Sequence, residues 1–349
     1  MFVVANPLEE WLAAHEGRAP HPLCWSGVES APWSLLGDVA LPASGGAGEP
    51  AGDPELVADV AREEGVSPDE VVLTAGAGEA DGLATFVVAG GATVVVEAPT
   101  YPPLREVARL AAARVVRVAR SVEDAWRLDV DAVEAELRPG TALVVVTSPN
   151  NPTGSVVPDA DLRRLADACG RVGAWLLVDE IFRRLGGAAR SARTVHPRIL
   201  ATGSLTKAEG LGGLRFGWLL APPEVARAAL ALKLATSGPV PTATQAFARA
   251  ALRARAALLA RSEGIRRTNL ATIRHDLDAA PRWVAPDAGV ATVVPVRGQD
   301  EAFAKAALTQ DGVLVVPGTH VEAPGFVRVG FGLEPERFAA GWKLLRRRL

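Results

Sequence analysis

The chain has 349 residues, more than one growing core usually holds, so two packed units are expected. Hydrophobic residues make up 49% and charged residues 22%, an ordinary balance for a water-soluble enzyme. The formal net charge of −3 gives no electrostatic ground for binding nucleic acid or an anionic membrane. Cys24 and Cys169 stand far apart, which excludes a disulfide framework or zinc cluster and predicts a reducing, cytoplasmic setting. The stretch "MFVVANPLEEWLAAHEG" reaches Glu9 and Glu10 before any long apolar run and does not read as a signal peptide. No segment approaches the ~20 apolar residues that span a bilayer.

In chain order, Leu41 to Pro54 is rich in Gly, Pro and Ala and is predicted to be irregular. "ELVADVAREEG" reads as a helix and "EVVLTAG" as a strand ending in glycine. The helix "EADGLATFVVAGG", the strand "TVVVEAP", the helix "YPPLREVARLAAA" and the strand "RVVRVAR" follow. "ALVVVTSPNNPTG" is a strand running into a loop, "DADLRRLADACGRVG" a helix, and "AWLLVDEIF" and "RILATGSLT" two more strands. Continuous Val/Leu/Ile strands separated by helices predict a mostly parallel sheet covered on both faces. From Thr242 the chain turns Arg/Ala/Leu-rich and helical, then gives "GVATVVPV", "AFAKAALTQ", "GVLVVPG", "FVRVGFG" and a closing helix. The predicted fold class is α/β: a three-layer, mostly parallel large domain over 41–245 and a smaller α/β domain over 246–349. Residues 1–40 form an N-terminal segment that contributes to the smaller domain. The basic Arg346–Arg348 tail closes a helix, where positive charge suits the macrodipole, and is read as structural.

Ligands of such sheets gather at the carboxyl ends of strands. Gly76, Pro99, Asn150, Asp179 and Lys207 all fall at or just past predicted strand ends, so they can converge on one crevice. Lys207 sits in the small, glycine-rich stretch "SLTKAEGLGGLRFGW". It is either a loop lysine in a turn or a nucleophile, and a nucleophilic lysine needs an enclosed site that lowers its proton affinity. Asp179 in "VDEIF" is either a helix cap or a functional carboxylate. Ala77 and Gly78 open a helix whose free N–H groups can meet a phosphate, although any glycine turn starts a helix the same way. Arg328 in "FVRVGFG" either faces solvent or is buried and paired, and Val327, Val329 and Phe331 around it favour the second. His21 and His320 are read as structural.

Together these motifs resemble the pyridoxal-phosphate-dependent aminotransferases of class I/II, with the aspartate aminotransferase fold (fold type I), from about Pro54 to the end of the chain. The resemblance implies pyridoxal 5′-phosphate as cofactor and Lys207 as the Schiff-base residue and proton shuttle. It implies that Asp179 meets the pyridine nitrogen, Asn151 of "SPNNPTG" the ring oxygen, and Tyr101 the ring face. Ser204, Arg215 and the Ala77–Gly78 turn would hold the phosphate. The substrate side would be formed by Arg328 on the α-carboxylate, by Asn151, and by Gly27 where the N-terminal segment approaches. Metal has no part in this scheme. The resemblance also implies a homodimer acting on a small amino acid and a 2-oxo acid.

The chain departs from the family in three places. Phe182 stands where tyrosine is usual, so a donor to the ring oxygen is lost. Gly78 replaces a common hydroxyl residue, and Leu41–Pro54 lacks the aromatic that a partner subunit normally contributes. The N-terminal "LEEWLAAHEG" and "CWSGVESAPWSLLGDV" are similar to the capreomycidine-synthase-like subgroup, whose members can eliminate and cyclise. The leading reading is an aminotransferase. A lyase, decarboxylase or cyclase on the same fold, or a non-catalytic sensor that retains the cofactor, remain alternatives.

Overall fold

The computed structural model describes residues 6–42, 48–187 and 190–349. The elements run α1 (Pro7–His15), β1 (His21–Pro22), α2 (Pro54–Glu64), β2 (Val71–Thr74), α3 (Ala77–Ala89), β3 (Thr93–Ala98), α4 (Pro102–Ala111) and β4 (Arg114–Ala119). Next come α5 (Val130–Glu136), β5 (Thr141–Thr147), α6 (Asp159–Val172), β6 (Trp175–Asp179), β7 (Ile199–Ser204), β8 (Gly217–Leu220) and α7 (Pro223–Thr236). The last third holds α8 (Thr242–Arg253), α9 (Arg255–Leu277), β9 (Ala291–Pro295), α10 (Asp300–Asp311), β10 (Val313–Leu314), β11 (Val316–Pro317), β12 (Phe326–Gly330) and α11 (Pro335–Leu345). Of the segment read as irregular, residues 43–47 lie outside the described residues, and what is described around them holds no helix or strand until α2.

Among the described residues a seven-stranded sheet has the order β2-β8-β7-β6-β5-β3-β4. β4, β3, β5, β6 and β7 pair in parallel, and β8 alone runs against its neighbours β7 and β2. One face is covered by α3, α4 and α7, through Ala80, Leu83, Leu104 and Ala229 on Val94, Leu143, Leu177 and Leu200. The other is covered by α5 and α6 at one end and by α2 and α8 at the other. The three-layer α/β expectation is met. Outside this sheet, β11, β12 and β9 form an antiparallel sheet, and β1 pairs with β10 in parallel. Leu8, Trp11, Leu23 and Cys24 of the N-terminal segment share a core with Val293, Val327, Phe338 and Trp342. Trp11 Nε1 donates to the Val315 carbonyl at 2.9 Å, fastening α1 to that end of the chain.

Several elements escape the pattern-based reading. β8 was hidden at the end of the glycine-rich lysine stretch, because it is only four residues long and two residues separate it from helix α7. Its glycine is required: a Cβ on Gly217 would lie 2.7 Å from the Gly203 carbonyl oxygen and 2.7 Å from Gly76 C. α5 is short, and the long helical stretch after Thr242 divides at Ala254 into α8 and α9. "GVLVVPG" is likewise two short strands on different partners rather than one.

One buried carboxylate ties the strand ends together. Glu97, 1% exposed near the end of β3, accepts from Thr147 N and Oγ1 at 2.6 Å and from Asn150 Nδ2 at 2.9 Å. Arg120, just past β4, donates to it from Nε at 2.8 Å and reaches the Trp126 carbonyl at 2.9 Å. Removing one partner of a buried pair strands the other. Arg120→Met is therefore expected to destabilise the chain by about 3–5 kcal/mol, read from urea unfolding. Adding Glu97→Gln to it should recover part of the loss. Equal stability of Arg120→Met and wild type would mean that water reaches Glu97.

Candidate active site

The loop from β7 to β8 carries Lys207 and is pinned by Leu205 N–H on the Phe216 carbonyl at 3.1 Å. Lys207 lies where two cavities meet. An inner one of about 150 Å³ is lined by Ala77, Gly78, Asp81, Tyr101, Asn151, Asp179, Phe182 and Arg215, among others. An outer one of about 510 Å³ is lined by Trp25, Gly27, Glu29, Leu333 and Arg337, and shares Thr206, Lys207 and Arg215 with the first. Of the five strand-end residues, Asp179 and Lys207 line the inner cavity and Gly76 lies against Arg215 at its edge, whereas Pro99 and Asn150 line neither cavity and bond to each other.

Lys207 Nζ reaches Ser26 Oγ at 3.5 Å. Burial, then the Arg328 and Arg215 cations, pull its proton affinity down to about 8 against the opposing charges of Glu9 and Asp179. Such an amine is neutral for part of the time at physiological pH, as a nucleophile must be. Gly27 lies close beside it: a Cβ there would stand 3.0 Å from Lys207 Cδ, so a side chain at this position would push on the lysine stem.

Asp179 ends β6 and accepts the Ile181 N–H at 3.0 Å. Burial raises it to about 6, with that N–H and Lys207 acting to lower it and Glu97 to raise it. Opposite, α3 begins at Ala77 behind Gly76, whose φ of +100° suits glycine alone. The Arg215 guanidinium lies over Gly76, with Nη2 donating to the Ala75 carbonyl at 3.1 Å; a Cβ on Gly76 would be 2.7 Å from that nitrogen. A helix N-terminus beside an arginine favours an anion. A Cβ on Gly78 would meet nothing within 4 Å, so the hydroxyl usual there has room but is missing.

Tyr101 lines the inner cavity and donates from its hydroxyl to Glu9 Oε1 at 3.3 Å; burial and Glu9 push its ionisation up. Phe182 lines the same cavity, and a Cβ on Gly289 would lie 3.6 Å from its ring. Asn151 is held from behind, its Oδ1 accepting from Arg328 Nη1 at 3.2 Å. Arg328 is 2% exposed and donates from Nη2 to the Cys24 carbonyl at 3.0 Å. Its Nε has no hydrogen-bond partner among the described residues, and burial weakens its hold on its proton.

Ser204 is the exception among the expected cofactor residues. Its hydroxyl accepts from Thr206 N–H at 3.1 Å, and it lines a separate small cavity with Glu180 and Arg255. Thr206 lines the Lys207 cavity in its stead. Asp81, Ser26 and Thr206 were missed by sequence reasoning. Asp81 had a signal, an acid one turn into the largely apolar helix "EADGLATFVVAGG".

A lysine at the junction, a raised carboxylate and two aromatic rings, Tyr101 and Phe182, lining the same cavity, and an anion-favouring helix end define a pyridoxal-phosphate enzyme of fold type I. The orphaned Arg328 Nε and the unbalanced Arg215 fit a cofactor and substrate that bring anionic groups. The sequence model described as "Aminotransferase class I and II" matches residues 44–341. The probable aspartate/prephenate aminotransferase of Thermus aquaticus is 32% identical, covering 82% of this chain and 79% of that protein. Capreomycidine synthase of Streptomyces vinaceus is 29% identical over 94% of this chain and 89% of its own length. The solved pyridoxal-phosphate-dependent cyclase OrfR superposes with a TM-score of 0.89 at 28% identity, covering 99% of this chain and 97% of that one. The chain belongs to the class I and II aminotransferase family and is a pyridoxal-phosphate-dependent enzyme.

The Lys207 environment has a consequence for stability. The folded chain holds this proton more weakly than the unfolded chain, whose lysine keeps its ordinary value of 10.5. Between about pH 8 and 10.5 the unfolded state binds more protons here, so the wild-type chain gains stability as pH rises through that window. Lys207→Met should make the cofactor-free chain more stable by about 3 kcal/mol at pH 7, with the advantage shrinking between about pH 8 and 10.5 and gone above that window. A pH-independent difference in urea midpoint would place Lys207 in water.

Proposed function

We propose that the chain moves the amino group of an α-amino acid to a 2-oxo acid. The observation that carries this reading is Arg328: a buried guanidinium with an unpartnered Nε, no ion pair among the described residues, and a direct contact to Asn151 beside Lys207. A planar, two-pronged donor of this kind suits a carboxylate. Bound in the inner cavity, pyridoxal phosphate supplies a carbonyl that condenses with amines and a ring that accepts electrons.

This chain's residues would do the rest. The α3 N-terminus and Arg215 hold the phosphate. Asp179 faces the ring nitrogen and keeps it protonated, while Tyr101 and Phe182 flank the ring. Asn151, its Oδ1 fixed by Arg328, turns its amide nitrogen to the ring oxygen. Arg328 would orient the substrate by its carboxylate, and Lys207 would take the proton from the substrate's Cα and hold it for return. Gly27 and Ser26 close the substrate side.

A second reading has its own support. Similarity to capreomycidine synthase extends over 94% of the chain, and OrfR is a solved cyclase of nearly the same fold. Phe182 and Gly78 also leave the cofactor with fewer donors than usual. Incubating the holoenzyme with single amino acids decides between the readings: a 2-oxo acid formed only with an acceptor oxo acid supports transamination, whereas ammonia or a ring product without acceptor supports the second.

Arg328→Ala should leave cofactor absorbance intact and weaken amino-acid binding by on the order of 2–5 kcal/mol. Unchanged affinity in a spectral titration would remove Arg328 from the substrate site. We also infer a homodimer, the commonest symmetric assembly, with the exposed Trp33, Leu35 and Leu41 on the N-terminal segment as apolar surface for it. Sedimentation should give twice the chain mass at micromolar concentration; an active monomer there defeats the inference.

A further inference from the structure

Two acids face the inner cavity without a cation bonded to either. Asp81, in the second turn of α3, and Asp179, at the end of β6, are both buried and both line it. Their hydrogen-bond partners are neutral: Thr202 Oγ1 donates to Asp81 Oδ1 at 2.6 Å, and Ile181 N–H to Asp179. Thr202 and Asp179 sit opposite each other in the β6–β7 register, so one strand pair carries both contacts. Among the described residues, no Lys, Arg or His nitrogen forms an ion pair with either carboxylate within 4.0 Å.

Two buried carboxyl groups that share such a space do not both ionise near neutrality. Burial and the charge of Asp179 push Asp81 well above the usual carboxylate range. Asp179 rises less, because the Ile181 N–H and Lys207 favour its anion. The remaining ionisable groups around the pair are accounted for. Lys207, Arg215 and Tyr101 line the same cavity, and Glu97 acts on Asp179 from β3. On α7, Lys233 is engaged by Glu79 at 2.9 Å, and on α4 Glu106 is engaged by Arg105 at 2.6 Å.

We propose that Asp81 is a positioning residue: the two carboxyl groups carry one proton between them, Asp81 as the neutral acid and Asp179 as the anion facing the cofactor's ring nitrogen. The inference rests on the cofactor placement proposed above. Thr202 then anchors one oxygen of Asp81, and the other is left toward the cavity. A neutral acid in that position excludes water and keeps the neighbouring carboxylate from rotating away, without adding a second negative charge.

The test has two arms. In the cofactor-free full chain at pH 7, difference infrared spectroscopy of wild type against Asp81→Asn should show the loss of a neutral carboxylic acid carbonyl stretch. In the second arm, Asp81→Asn, which mimics the neutral acid, should bind pyridoxal phosphate within about twofold of wild type, and Asp81→Ala about tenfold more weakly. No neutral-acid band lost, or equal cofactor affinity in the Asn and Ala variants, overturns the proposal. A wild-type chain that binds no pyridoxal phosphate defeats the cofactor placement instead, and the infrared arm still decides who holds the proton.

Discussion

The site depends on a carboxylate that does not itself line it. Glu97 comes from a strand of valines and is buried among donors from three other segments: Thr147 at the end of β5, Asn150 in the following loop, and Arg120 past β4. Asn150 in turn accepts from Thr153 through N–H and hydroxyl, so the "SPNNPTG" loop is folded around its side chain. Asn151 is the next residue, and its place beside Arg328 follows from that clamp. The sheet brings the strand ends within reach of one another, and Glu97 fixes the loop that leaves them.

Charge in the crevice is arranged so that the protein alone leaves it unbalanced. Lys207, Arg215 and Arg328 converge, and the acids nearest them are Asp179, which burial makes a weaker anion, and Glu9, whose carboxylate also takes the Tyr101 hydroxyl. Burial and then the Arg328 and Arg215 cations disfavour the proton of Lys207, which yields first. An incoming phosphate and carboxylate relieve this repulsion. The strain in the ligand-free charge set becomes binding energy when anions arrive, a use of electrostatics that a surface cluster screened by water cannot match.

Much of this was legible in the sequence. Val/Leu/Ile runs separated by amphipathic helices announced the sheet; Asp179 and Lys207 stood out as strand-end residues, whereas Asn151, Tyr101 and Arg215 were named from the motifs that carry the resemblance. What stayed hidden was set by packing at a distance. β8 looked like loop because the glycines that let it pass Gly76 and Gly203 erase its strand signature. Ser204, given a ligand role by its motif, also closes a local turn by accepting the Thr206 N–H, and its own hydroxyl proton stays available to donate. Glu97 and Asp81 each broke an apolar run, which marks a buried acid. Only the fold reveals what each one faces.

The enclosure of Lys207 is built from both halves of the chain. Its carbonyl accepts the Val28 N–H at 3.2 Å, the Gly210 carbonyl accepts the Ala31 N–H at 2.9 Å, and Gly27 packs flat on its aliphatic stem. That segment is held in turn from the C-terminal side, where a Cβ on Gly332 would lie 2.2 Å from the Gly27 carbonyl oxygen and the Gly330 N–H donates to Leu23 at 2.8 Å. Leu23 and Cys24 belong to the core of β9, β12 and α11, while Lys207 belongs to the seven-stranded sheet. The desolvation that lowers the lysine's proton affinity is thus supplied by a segment packed on β9, β12 and α11 to a residue at the end of the seven-stranded sheet. Any movement that lifts the N-terminal segment admits water and returns Lys207 toward its ordinary basicity; any that brings Arg328 nearer lowers it further. The proton shuttle and the substrate's carboxylate anchor are coupled through this single layer of backbone, with no side chain at position 27 to interrupt it.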